Sequence, residues 1–296
     1  MQKIKFEVTD DIIDICRDNV FKAVFTKDNP KSLGALEILI SCLIKQDITV
    51  TSITANEPPI DSLSDRQIRF DINCKSRTGE LINTEMTMFP DDFEPVRLEF
   101  YSGKLFTGQN IRGKDMTYND LKPTYQISFL LGKVFFKDDS LIHHFEYYDP
   151  ESKVSLGGRS RIITVELIKL DKTVEKSVSE MTMEERWSFF FRYITDKTKR
   201  NKINEILDCE EGIAMASEVL ISISRDEIER ARLISEFKYE MDHQSKMVQA
   251  KNRGLEEGRK EGREKGLEEG RNEGRKELLS LLKSGKSPEE IIGLYK

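Results

Sequence analysis

The sequence predicts an α/β body followed by a helical region and a charged, glycine-periodic tail. Three observations carry that prediction. Two stretches with helical spacing, 10–27 and 33–45, precede several segments rich in β-branched and aromatic residues with two-residue alternation. After Asp171 the spacing becomes helical throughout. From residue 254 to residue 274, in "GLEEGRKEGREKGLEEGRNEG", a glycine stands at every fourth position, six in all. The expected divisions are a body over 1–171, a helical subdomain over 172–248 and a tail over 249–296.

The first helix is expected over 10–27, with Ile12, Ile15, Val20, Phe21, Val24 and Phe25 tending to one side. "DNPKS" (28–32) breaks it, and the more apolar "LGALEILISCLIK" (33–45) forms a second helix. Strands are expected at 47–55, 66–76 and 80–89, the last two joined by the turn "RTG". From Glu94 the period is helical again, with Val96, Phe100, Lys104 and Leu105 in phase. Further strands are expected at 124–136, 143–149 and 161–170. In the helical region, Thr182 and Glu185 stand three apart before an apolar run, the pattern of a capping box.

Composition excludes several classes. No run of eighteen apolar residues exists, and "ALEILISCLI" (35–44) is too short to span a bilayer and contains Glu37. The N-terminal "MQKIKFEVTD" has no apolar signal core, which argues against secretion. Cys16, Cys42, Cys74 and Cys209 are scattered without a CxxC pair, and the adjacent His143 and His144 point to opposite faces of a strand. These features argue against zinc and fit reduced thiols in a cytoplasm. Net charge is −6, divided as −4 over 1–170, −5 over 171–245 and +3 over 246–296. A general basic surface for DNA is therefore absent, and a nucleic-acid ligand would need local cations or metal ions.

The segment "DRQIRFDINCKSRTGELINTEMTM" (65–88) carries the chemistry. On its first strand Arg69, Asp71 and Asn73 share one face; on the second, Asn83, Glu85 and Thr87 do. A three-residue loop with Gly79 left-handed pairs Ser76 with Glu80. Counting back five positions sets Asp71 opposite Glu85, with Cβ atoms roughly 4.5–5.5 Å apart. Two carboxylates so placed repel, and either one holds a proton or a divalent cation takes both as ligands. Read from spacing alone, the pair also suits the wet face of an ordinary hairpin.

Several short motifs in this order resemble a known family. "DNVFKAVF" (18–25), "DRQIRFD" (65–71), "NTEMT" (83–87), "RLEFYSGKL" and "GKDMTYNDLKPTYQIS" resemble the successive motifs of the bacterial recombination-promoting nucleases and transposases. That family lies within the PD-(D/E)XK nuclease superfamily. The resemblance implies a nuclease-like core, with a mixed central sheet flanked by helices, and a metal-dependent endonuclease acting on DNA in recombination or transposition. It makes Asp71 and Glu85 the ligands of Mg²⁺, with Mn²⁺ as a substitute. The third signature position, classically lysine and commonly glutamine in this family, is Thr87 here. A hydroxyl can orient a metal-bound water but brings no positive charge.

Other candidates follow from position. Arg97 and Lys104 on the next helix could replace the missing charge, and Gln109 could orient a water. Asp18, from the opening motif, and Glu37 compete as an additional acid near the metal. Arg66, Arg69, Lys75 and Arg77 are candidates for contacts to phosphates. Trp187, Phe189, Phe190 and Phe191 read as packing of the helical region. A nuclease fold without activity, acting as a DNA- or protein-binding module, is the competing expectation.

The tail asks for a different reading. Six glycines inside a helix cost about 0.8–1.0 kcal/mol each relative to alanine. Charged pairs four apart return only a few tenths, and no apolar stripe compensates. A semi-flexible extension is expected, ordered against a partner and available, like the helical region, for self-association. "ELLSLLKSGKSPEEIIGLYK" then closes the chain as a short helical hairpin, with Gly285 as a stop and Ser287-Pro288 as a start.

Overall fold

The computed structural model describes residues 4–54, 71–109, 111 and 116–294. It divides into two compact units, Met1–Ser235 and Glu236–Lys296. The first holds a six-stranded sheet of order β1-β2-β3-β4-β6-β5. Its strands are β1 (Val50–Ile53), β2 (Ile72–Ser76), β3 (Leu81–Thr87), β4 (Thr124–Leu130), β5 (Ile142–Phe145) and β6 (Ser160–Glu166). The pairs β1/β2, β2/β3 and β5/β6 are antiparallel, whereas β3/β4 and β4/β6 are parallel. The sheet is therefore mixed, as expected.

Helices α1 (Asp18–Thr26) and α2 (Pro30–Ile44) precede the sheet, and α3 (Glu94–Thr107) connects β3 to β4. Asn29 and Pro30 are the start of α2 rather than a simple break. The Asn29 side chain accepts from the Ser32 amide at 2.9 Å, and Pro30 occupies the first turn, where its missing N–H is harmless. Lys45, left-handed at φ 60°, closes the same helix.

The two faces of the sheet differ sharply. Ile82 and Met86 of β3, Tyr125, Ile127 and Phe129 of β4, and Ile163 and Val165 of β6 belong to the main apolar core. The opposite face carries buried Asn83, Glu85, Gln126, Ser128, Thr164 and Glu166. Helix α3 packs against that polar face, touching β3, β4 and β6, with Ser102 hydrogen-bonded to Ser160 at 2.9 Å.

The helices after Asp171 share this core. Helix α4 (Met183–Tyr193) starts with the expected capping box of Thr182 and Glu185. Its Phe191 ring lies 4.9 Å from Phe129 and 5.9 Å from Phe21 between centroids, and Trp187 lies 6.2 Å from Phe25. Helix α6 (Glu211–Arg225) packs along α2, beside α5 (Arg200–Cys209). One apolar cluster thus runs from Ile12 through the strands to Leu233.

The strands expected at 143–149 and 161–170 end earlier, at Phe145 and Glu166, and three further local expectations need correction. Residues 10–17 are irregular, not helical. Ile12, Ile13, Ile15 and Cys16 are all buried there. Side chains also take up the backbone: Ile13 N–H donates to Ser224 at 3.1 Å, and Arg230 donates to the Asp11 carbonyl at 2.6 Å. Strand β4 stops at Leu130 instead of residue 136. Gly132 turns the chain at φ 82°, and the Glu166 carboxylate accepts from the Phe135 amide at 2.6 Å. In α3 the buried residues are Glu94, Leu98, Ser102 and Leu105, while Val96 and Phe100 are exposed.

Most of the second unit is helix α7 (Glu227–Lys283), which begins at the end of the first unit, and α8 (Pro288–Leu294). All six periodic glycines lie within α7 in open space, since a Cβ on any of them would meet nothing within 4 Å. Gly285 at φ 88° follows the helix, and Ser287 and Glu290 exchange hydrogen bonds at the start of α8.

Candidate functional site

The β2–β3 hairpin sets the site. Gly79 adopts φ 99° and its amide donates to the Ser76 carbonyl at 3.1 Å. The pairs Lys75/Leu81, Cys74/Ile82, Asn73/Asn83 and Ile72/Thr84 follow. One further step along this register brings Asp71 opposite Glu85, as the turn predicted. Asp71 accepts from the Met86 amide at 3.2 Å, which anchors its carboxylate at the end of the hairpin.

Glu85 is 3% exposed and lies on the polar face under α3. One carboxylate oxygen, Oε1, accepts from Asn83 Nδ2 at 3.0 Å; Asn83 in turn donates to Gln126 at 2.8 Å. The other oxygen, Oε2, is buried without a hydrogen-bond partner among the described residues. Burial first, and the Asp71 charge second, push the Glu85 carboxyl up to about 8. Such a group is largely protonated at neutral pH unless a cation joins it.

Positive charge does approach the pair. From α1, Lys22 Nζ lies 2.9 Å from Asp71 Oδ1. From α3, Arg97 donates to Thr87 Oγ1 at 3.0 Å and to Glu94 at 2.7 Å, and reaches within 3.7 Å of Glu85 Oε2. The buried Glu94 carboxylate orients that guanidinium. The carboxyl of Asp18, at the start of α1, is raised from its ordinary value, chiefly by burial and then by Asp71. The electrostatic influence of Asp71 therefore reaches Asp18.

Other candidates stand elsewhere. Glu37 accepts from the Val50 amide at 2.8 Å and ties α2 to the start of β1. Gln109 exchanges two hydrogen bonds of 2.9 Å with the Lys122 backbone. Lys104 lies 6.0 Å from the Phe100 ring centre, two turns along α3 from Arg97. Lys75 and Arg77 occupy the turn end of the hairpin, four and six residues from Asp71, or about 13 Å and more along an extended strand. Arg66 and Arg69 lie outside the described residues. His143 meets Asp138 at 2.9 Å, lies tilted against Phe136 and stacks on Phe145, a packing role.

A family model described as PD-(D/E)XK nuclease family transposase matches residues 15–250. The chain belongs to this family. No curated protein and no solved structure matches it. PD-(D/E)XK nucleases generally use divalent metals. Among the described residues no group of three or more His, Cys, Asp and Glu side chains is arranged to hold a metal ion. What this family member offers is a two-carboxylate, all-oxygen donor set with one buried oxygen that accepts no hydrogen bond from the described residues. That set suits a hard cation that keeps most of its water.

Two neighbours escaped the sequence reading. Lys22 belongs to the quoted "DNVFKAVF", but nothing in local spacing linked α1 to a strand fifty residues later. Glu94 marked only the point where helical period begins. Only the fold of α3 over β3 makes it the partner of Arg97.

Proposed function

We propose that this protein is a metal-dependent DNA endonuclease, acting in recombination or transposition in the cytoplasm, with Asp71 and Glu85 as the ligands of Mg²⁺. The observation that carries the reading is the buried Glu85 within the field of Asp71, with one carboxylate oxygen that accepts no hydrogen bond from the described residues. When bound, the ion supplies a polarised water and neutralises charge on the scissile phosphodiester. Asp71, immediately before β2, and Glu85 of β3 would supply its oxygen ligands, held near each other by the hairpin. Thr87 Oγ1 accepts a hydrogen bond from Arg97 and can donate its own proton toward a water or a phosphate oxygen. Arg97, steadied by Glu94, brings beside position 87 the positive charge that threonine lacks, and stabilises the developing phosphorane charge. Lys22 does the same beside Asp71. Asp18 adds acidity next to that pair.

A second reading has its own support. Thr87 replaces the family's lysine or glutamine, and Lys22 and Arg97 already offset part of the acidic charge. A weak or inactive nuclease fold that binds DNA or protein would look the same. Mg²⁺-dependent nicking or linearisation of plasmid DNA decides between them. Cutting by the wild type that is lost in Asp71→Ala supports the enzyme; an inert wild type that still shifts DNA on a gel supports the binder.

A further inference from the structure

Helix α3 has three sides. Glu94, Leu98, Ser102 and Leu105 face the sheet. Arg97 lies along the margin that reaches Thr87 and Glu85. Outside that margin, Phe93, Val96 and Phe100 recur at three- and four-residue steps, which puts them on one stripe. Phe93 is 68% exposed, Val96 63% and Phe100 48%, and Phe89, in the loop leading to the helix, is 64% exposed. Four large apolar side chains thus stand in solvent on α3 and the loop before it, and they form a rim beside the margin that carries Arg97; three of them are phenyl rings. Cations accompany them: Lys104 stands 6.0 Å from the Phe100 centroid, and Arg97 stands 5.5 Å from that of Tyr101.

We propose that this rim, centred on Phe93 and Phe100 with Phe89 beside them, is a stacking platform for unpaired bases next to the scissile phosphate. The preferred substrate is then single-stranded or locally unpaired DNA. The inference rests on the nuclease reading and deepens it. Its argument is chemical. A chain of net charge −6 gains little from phosphate contacts and counterion release, whereas stacking on phenyl rings needs no net charge. Rings also offer flat faces to any base, which aliphatic side chains do not. Asp91, Asp92 and Glu99 near the rim repel phosphates, Asp92 being held by Lys133, and this turns the bases rather than the backbone toward the rings.

The test is fluorescence-anisotropy titration of full-length protein with a labelled single-stranded oligonucleotide, its abasic counterpart and the matching duplex, with Ca²⁺ replacing Mg²⁺. Wild type, Phe93→Ala/Phe100→Ala and Phe93→Leu/Phe100→Leu are compared, with circular dichroism checking that each is folded. Each stacked base is worth about a five- to hundred-fold change in affinity, so the alanine pair should lose at least ~10-fold for the single strand. The leucine pair should lose nearly as much, and the abasic strand should bind as weakly as the variants do to the normal one. Equal binding of normal and abasic strands overturns the platform, as do full affinity in the leucine pair or no binding by wild type. Plasmid cleavage that persists alongside such a result leaves the nuclease reading standing. Ring-dependent binding without any cleavage removes the nuclease reading and keeps the platform.

Discussion

At the scale of the residue, the account turns on the protonation of Glu85. Its carboxyl is raised to about 8 from an ordinary 4.5 by burial and by Asp71. Between those values the folded, ion-free protein holds a proton that the unfolded chain releases. This contribution to stability is full below pH 4.5 and is lost as pH rises toward 8. Glu85→Gln removes the titration. We expect the ion-free variant to gain on the order of 1–3 kcal/mol over wild type at pH 8.5 and little at pH 5, read from denaturant unfolding at both pH values. The same linkage makes ion uptake release protons. Calorimetry at pH 7 in buffers of different ionisation enthalpy should report roughly one proton displaced per Mn²⁺, falling to none near pH 9. Arg97→Ala leaves Glu94 and Glu85 without their nearest cation and strips Thr87 of its partner. Because the guanidinium is partly exposed, a stability loss of only about 1–2 kcal/mol is expected, but cleavage should fall far more.

At the scale of the element, the hairpin was the most legible part of the fold. Gly79 fixed the turn, and period-two alternation then fixed which side chains meet, so Asp71 and Glu85 could be paired from spacing. Boundaries were less legible where long-range contacts override local pattern. Residues 10–17 have helical spacing, yet Ser224 and Arg230, two hundred residues away, hold their backbone in another form. Helix α3 shows the same limit: Val96 and Phe100 look like core by hydrophobicity, but the polar face of the sheet selects Glu94 and Ser102 instead. The aromatic residues of the helical region were read as that region's own packing, while their partner in the sheet was hidden. Phe191 packs on Phe129 of β4, so Phe191→Ala should cost about 3–5 kcal/mol. It should lower a single transition shared by helices and sheet. Separate transitions for the two would contradict a common core.

At the scale of the whole molecule, charge and composition separate the acidic body from the mildly basic tail. The six glycines of α7 sit in open helix, so replacing all six with alanine meets no clash. Each replacement should favour the helix by about 0.8–1.0 kcal/mol. Ellipticity at 222 nm should rise at 37 °C, and an unchanged spectrum would mean that the wild-type tail is already held helical by something other than its own backbone. The family match covers residues 15–250 and leaves the whole of this glycine-periodic stretch outside it. The central claim concerns one ion between two strands. Its most direct measurement is anomalous diffraction from a crystal soaked in Mn²⁺. The account predicts a peak about 2.0–2.3 Å from oxygens of both Asp71 and Glu85, with Lys22 displaced from Asp71. A strong soak with no peak there, and Lys22 still seated on Asp71, would contradict it.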